Sequence, residues 1–128
     1  MKEILIACGD VDLLKRIIAD LPPNTFKPIA TKRGAGIAAK LTGRNLRHAI
    51  VHATLADGTA GQLLQELQGL DPVPGVLLLT SDAPPKEGPF KAALRYPVPG
   101  PVLRNAIGQL APDDDAEHDL ERWRLFYR

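Results

Sequence analysis

A strand, a tight turn and a helix follow one another directly over residues 48–67 of the sequence. The apolar run at residues 49–55 (AIVHATL) has the length and β-branched content of a buried strand. After a glycine-containing turn, Thr59 and Gln62 form a T-x-x-Q capping box that predicts the start of a helix. Because ligands sit at the carboxyl ends of strands in open parallel sheets, this pattern makes His52 the first candidate site residue.

The rest of the chain repeats this alternation. Further strands are predicted at residues 3–8, 26–31, 76–80 and 94–98, and further helices at residues 11–21, 34–41 and 102–110. Pro28 indicates that the second strand lies at an edge, because proline cannot donate to a sheet ladder. The pattern predicts a flavodoxin-like three-layer α/β sandwich with a parallel sheet in the order 2-1-3-4-5.

The segment between the fourth and fifth predicted strands is too short and too rich in proline for a full helix. Residues 81–89 hold three prolines and a glycine, which predicts a loop. Only a turn of helix is left at residues 90–93, so the fourth helix of the fold is expected to be shortened.

Composition limits the class of protein. The 128 residues are 45% hydrophobic and 24% charged with a net charge of +1, as expected for one soluble globular domain without nucleic-acid or membrane partners. The single cysteine, Cys8, excludes an internal disulfide and favours a cytoplasmic location. The N-terminal apolar run is too short for a signal peptide or a membrane helix.

The character of the sequence changes after residue 111, so we divide the chain into a domain at residues 1–111 and an extension at residues 112–128. Three aspartates open the extension and precede a predicted C-terminal amphipathic helix. Its apolar residues are expected to pack on the domain, on a protein partner or on a second copy of the chain. They are the interaction candidates: Leu120, Trp123, Phe126 and Tyr127.

The order of motifs over roughly residues 2–111 resembles the receiver domain of bacterial response regulators. The matching pieces are ILIACGD, IATKRG, LADGTAGQLL, LLLTS and RYPV. The resemblance implies phosphotransfer from a histidine kinase to an aspartate, with a bound magnesium ion and a switching Thr and Lys.

Position by position, however, the resemblance implies a degenerate phosphoacceptor pocket. The acceptor aspartate of the family falls on His52, its acidic pair on Cys8 and Gly9, and its lysine on Tyr96. Thr80 and Pro97 keep the family's residue types. The chain is therefore expected to be a pseudo-receiver with no bound cofactor or metal.

Asp10 follows the two lost acids, and two interpretations are open: a lone acidic remnant of the family's pair, or the N-cap of the following helix. Cys8, Asp10 and His52 together carry zinc-binding groups, although a structural site needs a fourth ligand. Cys8 as a nucleophile with His52 as its base is a further alternative. The simplest interpretation makes Cys8 a core residue and His52 a hydrogen-bonded polar residue at the strand end.

A basic cluster surrounds the second predicted helix and is either a surface for an acidic partner or an ordinary solvated face: Lys32, Arg33, Lys40, Arg44 and Arg47. The main expectation is a non-enzymatic signalling domain that works by protein–protein interaction in a two-component or related pathway. The alternative is a small flavodoxin-like enzyme or ligand-binding module that uses Cys8, Asp10 and His52.

Overall fold

The computed structural model describes residues 2–22, 24–44 and 46–110. Strands and helices alternate along this part of the chain. In chain order they are β1 (Lys2–Ala7), α1 (Val11–Asp20), β2 (Phe26–Thr31), α2 (Ile37–Leu41), β3 (His48–His52), α3 (Ala60–Leu67), β4 (Gly75–Thr80), β5 (Ala92–Arg95) and α4 (Gly100–Gly108).

The strands form one parallel sheet in the order β2-β1-β3-β4-β5, which confirms the predicted topology. β2 is an edge strand and contains Pro28, as the sequence predicts. The strands β3 and β4 are buried along their whole length. Their continuous apolar sequences therefore reflect a sheet that is covered on both faces.

Side chains that alternate along the strands divide the interior into two cores. Leu5, Ala7 and Val51 face α2 and α3, where Leu41 and Leu63 complete the packing. The intervening strand residues face α1 and α4 and form the second core. It contains Ile4, Ile6, Ile50, Leu77 and Leu79 from the strands, Cys8 directly after β1, and Ile17, Leu103 and Ile107 from the helices. Two cores on opposite faces of one sheet confirm the three-layer sandwich.

Two predicted strand boundaries are wrong. β3 ends at His52 rather than at residue 55, because Thr54 and Ala56 already bond to other loops through their main-chain atoms. β5 covers Ala92–Arg95 rather than residues 94–98, because the N–H of Lys91 donates to Val76 O and sets an earlier register. The predicted strand also included a proline at position 97, which has no N–H to donate.

The shortened fourth helix is absent altogether: residues 81–91 form neither helix nor strand, and the predicted turn at residues 90–93 runs into β5. Phe90 packs against the core on the α2 and α3 face. Gln68, which ends α3, donates from Nε2 to Pro89 O at 3.4 Å. The ring of Phe90 thus covers part of the core on the α2 and α3 face without a helix in this segment.

The predicted capping box at Thr59 and Gln62 is also wrong. Thr59 is the N-cap of α3, but its Oγ1 donates to Asp57 Oδ1 at 2.6 Å, and Gln62 Nε2 donates to Glu66. The Asp57 carboxylate also accepts from the N–H groups of Gly34 at 3.2 Å and Ala35 at 3.2 Å. Asp57 therefore ties the loop after β2 to the loop after β3.

We expect the Asp57→Asn variant to have a lower melting temperature than the wild type at pH 7. The hydrogen bonds from Thr59 and the neighbouring N–H groups lower the pKa of Asp57 from 3.8 to about 2. Because the folded-state pKa is depressed, this stabilisation is present above the unfolded-state pKa and is lost as pH falls through about 2. Thermal unfolding from pH 7 to pH 2 measures it. A difference between the two proteins that did not shrink with falling pH would contradict the assigned role of the carboxylate.

The C-terminal extension, with the predicted helix and the interaction candidates Leu120, Trp123, Phe126 and Tyr127, lies outside the described residues, as does the predicted boundary at residue 111. Within the described ranges, no helix combines the length and the apolar character needed to cross a membrane.

Candidate functional site

The predicted site residues follow neighbouring strands and lie at the carboxyl edge of the sheet. Cys8 follows β1, His52 ends β3, Thr80 ends β4 and Tyr96 follows β5. Because all four strands are parallel and adjacent, these positions lie side by side. The surroundings of each side chain then determine its chemistry.

Cys8 is a core residue. Its side chain is completely buried and packs in the core that α1 and α4 cover. The thiol donates to Asp10 O at an Sγ–O distance of 3.6 Å. Burial raises the pKa of the Cys8 thiol above its ordinary value, so the reactive thiolate is disfavoured.

Gly9 lies against the backbone of the loop that follows β3. Its N–H donates to Thr54 O at 3.0 Å. A Cβ atom added at Gly9 would lie 2.8 Å from Ala56 N and 2.9 Å from Thr54 O. Real Cβ atoms essentially never approach backbone atoms this closely, so a side chain at this position would require the loop to move.

Asp10 is the N-cap of α1. Its Oδ1 accepts from the N–H groups of Asp12 at 2.8 Å and Leu13 at 3.2 Å. Both bonds satisfy donors that the first turn of a helix leaves unpaired. Of the two interpretations of this carboxylate, the geometry supports the helix cap.

His52 is buried, with 2% of its surface exposed, and faces the loop after β3. Its Nδ1 accepts from the N–H of Thr54 at 3.0 Å, which places the proton of the neutral ring on Nε2. Nε2 has no hydrogen-bond partner among the described residues. Burial lowers the pKa of His52 below 6.5 despite the opposing effect of the Asp10 charge, so the neutral form is favoured at pH 7.

Thr80, which ends β4, and Tyr96, which follows β5, also have contacts within the domain. Thr80 Oγ1 accepts from the N–H of Asp82 at 3.1 Å. Tyr96 is buried, and its ring packs in the core shared with α1 and α4, where the Arg16 guanidinium lies 5.9 Å from the ring centroid. Burial raises the pKa of the Tyr96 hydroxyl, which stays neutral. The Tyr96–Pro97 peptide bond is cis.

A groove of about 510 Å³ opens beside this edge, between the start of α1 and the residues that follow β4 and β5. Its lining is mainly apolar with a cation and a hydroxyl: Leu13, Ser81, Arg95, Tyr96, Pro97 and Val98. Sequence patterns gave no sign of it, because its walls come from three separate segments.

The candidate residues do not assemble into a metal centre or a nucleophile–base pair. No group of three or more His, Cys, Asp or Glu side chains among the described residues is arranged to hold a metal ion. The Cys8 thiol bonds to a carbonyl and the His52 Nδ1 to an N–H, so the described hydrogen bonds do not join them. Of the basic residues near α2, Arg44 forms an ion pair with Glu3 at 2.9 Å.

Comparisons with known proteins identify the fold through structure alone. No protein-family model matches the chain, and no curated protein matches it significantly. Among solved structures, the signal receiver domain of an HD domain-containing protein from Pseudomonas fluorescens Pf-5 is similar, with 21% identity, a TM-score of 0.76, and coverage of 90% of this chain and 98% of that one.

Two further solved structures agree. A CheY-like response regulator receiver domain protein from Methanospirillum hungatei JF-1 has 20% identity, a TM-score of 0.77, and coverage of 91% of this chain and 98% of that one. A response regulator receiver domain protein from Bacillus halodurans C-125 has 18% identity, a TM-score of 0.70, and coverage of 84% and 94%. The chain therefore has the CheY-like flavodoxin fold of receiver domains.

Proposed function

We propose that this chain is a receiver-like signalling domain that works without phosphorylation, by binding a protein partner in a two-component or related pathway. The fold of receiver domains supports the general assignment. The proposal that the domain works without phosphorylation rests on the packing of the loop after β3 against Gly9. This packing leaves no space for the acidic side chain that the family has there.

Three of the four groups that phosphoryl transfer uses in the family are missing here, and only Thr80 is kept. An acyl phosphate requires a carboxylate, whereas His52 supplies a buried imidazole. Magnesium requires oxygen ligands, whereas Cys8 supplies a protonated thiol and the Asp10 carboxylate caps α1. The family's lysine is replaced by Tyr96, whose neutral ring cannot neutralise a phosphoryl group. A phosphoacceptor role is therefore not supported.

The switching elements are also changed. The hydroxyl of Thr80 accepts from the N–H of Asp82. No helix follows β4 within residues 81–91, so the element that rearranges on phosphorylation in active receivers has no counterpart there. These two features support a domain with a single conformation rather than a phosphorylation switch.

No observation favours the alternative of an enzyme or ligand-binding module built on Cys8, Asp10 and His52. The three residues are near one another in the fold, yet each is bonded to backbone groups of its own loop. We therefore expect no enzymatic activity from this site. The single cysteine and its burial agree with a cytoplasmic location.

Acetyl phosphate, or beryllium fluoride with magnesium, should leave the protein unchanged. The measurement is the set of amide chemical shifts around Asp10 and Thr80, with a receiver that retains its acidic pocket as the positive control under the same conditions. Saturable, magnesium-dependent shift changes at these two residues would contradict phosphorylation independence.

Partner capture from the source cell with and without acetyl phosphate tests the interaction, and the same proteins should be recovered in both cases.

A further inference from the structure

The groove beside the carboxyl edge has apolar walls that no described side chain covers. Leu13 on α1 and Val98 after β5 are only partly buried, although both pack against the core beneath them. Pro97 is exposed on the same groove, and Arg95 adds an exposed cation. The volume of about 510 Å³ lies within the range of roughly 300–1,000 Å³ that is typical of ligand pockets.

The apolar surface continues beyond the groove itself. Among the described residues, the large hydrophobic side chains with high exposure are Val11 at 41%, Val73 at 50% and Val102 at 44%. Val11 lies two residues before Leu13 in α1, and Val102 lies in the first turn of α4, four residues after Val98. Leu13 and Val98 line the groove, so two of the three exposed valines are close to it in the sequence. Exposed apolar side chains near an apolar groove favour a contact there.

The C-terminal extension has the length and the side chains to reach this surface. The extension follows the end of α4, whereas the groove residue Val98 precedes its start, so the extension has to run back along α4, which is about 14 Å long. The nine residues 111–119 are sufficient for this distance, because they span up to about 30 Å when extended. Beyond them, Leu120, Trp123 and Phe126 recur every three residues. A large aromatic side chain stabilises a contact by burying 150–250 Å² of its surface, so such residues gain from a groove of this size.

The charges on the two sides are complementary. Arg122 and Arg124 flank Trp123 in the sequence, while α1 presents the exposed carboxylate of Asp12 next to Leu13. The acidic run at residues 113–115 precedes the aromatic residues and has a counterpart in the exposed Arg95 at the groove. Opposite charges at the rim of an apolar contact fix its register more than its strength.

We propose that residues 120–127 fold back into the groove of the same chain, with the Trp123 indole between Leu13 and Val98. The inference is independent of the proposed signalling function, because it concerns how this surface is covered before a partner binds. A partner that used the groove would have to displace the extension.

Trp123 is the single tryptophan of the chain, so its fluorescence reports the contact directly. In the full 128-residue protein we expect an emission that is blue-shifted relative to a free indole and protected from acrylamide quenching. Val98→Lys, inside the groove, and Val102→Lys, in the exposed first turn of α4 four residues further on, should each shift the emission towards that of a solvated indole. Val73→Lys is the matched control: it adds the same charge at an equally exposed valine in the loop before β4.

Far-UV circular dichroism establishes that each variant is folded. If Val98→Lys does not fold, Val102→Lys still provides the test, because Val102 is already exposed and tolerates a charge. A solvated Trp123 in the wild type would overturn the proposal, and so would an equal shift in Val73→Lys. Dilution distinguishes the occupant. Emission that is constant with concentration supports contact within one chain, whereas a red shift on dilution would assign the groove to a second copy and overturn the proposal.

Discussion

Replacing Gly9 by alanine should lower the free energy of unfolding by about 1–3 kcal/mol, the usual penalty for an extra group in a packed site. The added methyl would lie 2.8 Å from Ala56 N and 2.9 Å from Thr54 O, and both are backbone atoms that cannot rotate away. The loop would have to move, with loss of the hydrogen bond from Gly9 N–H to Thr54 O. Denaturant unfolding measures the change.

Gly61→Ala is the control for this substitution. Gly61 lies in α3, and a Cβ atom added there would meet nothing within 4 Å. Alanine should stabilise that helix by roughly 0.5–1 kcal/mol. Gly9→Asp should be destabilised at least as much as Gly9→Ala and should still not bind magnesium. A Gly9→Ala variant as stable as the wild type would show that the loop does not close this position.

The His52→Asp variant should fold, lose about 2–4 kcal/mol of stability at pH 7, and still not accept phosphate. A carboxylate at a site with 2% exposure is a buried, unpaired charge, which is among the most destabilising of substitutions. Because burial raises the folded-state pKa of such an aspartate above about 3.9, the variant is most stable at low pH and loses stability as pH rises through that pKa.

The wild type should show the opposite slope. Burial lowers the folded-state pKa of His52 below 6.5, so its contribution is present above 6.5 and is lost as pH falls. Unfolding free energies from pH 4.5 to pH 8, with His52→Asn as an uncharged control, separate the two slopes. Stable phosphorylation of His52→Asp by acetyl phosphate would contradict the assignment of Cys8 and Gly9 to the family's acidic pair.

The order of the strands follows from the sequence because each buried strand is a separate apolar run. The same reasoning included a helix cap as one of its two interpretations of Asp10, and the structure supports that one, since both bonds of the carboxylate are local. It failed at Asp57, whose partners Gly34 and Ala35 lie on another loop, more than twenty residues away in the chain. It also failed at Thr59, because the same carboxylate competes for the hydroxyl that a capping box would use.

The candidate site was predictable in its position but not in its character. Alternation along the strands places Cys8 and His52 at one edge, and the missing acids are visible in the sequence. No sequence pattern, however, distinguishes a glycine that is packed against a neighbouring backbone from one in open space. Gly9 is of the first kind and Gly61 of the second. The early start of β5 depends on Phe90 packing against the core and on the N–H of Lys91 donating to Val76 O, which a local pattern does not reveal.

Pro28 in the edge strand β2 has a consequence for self-association. An edge strand offers free main-chain groups on which another chain can add a strand, and such growth leads to aggregation. Pro28 removes one donor from that edge, and the exposed Lys27 beside it adds a charge that an incoming strand would have to desolvate. The outer side of β2 therefore resists growth of the sheet into larger assemblies.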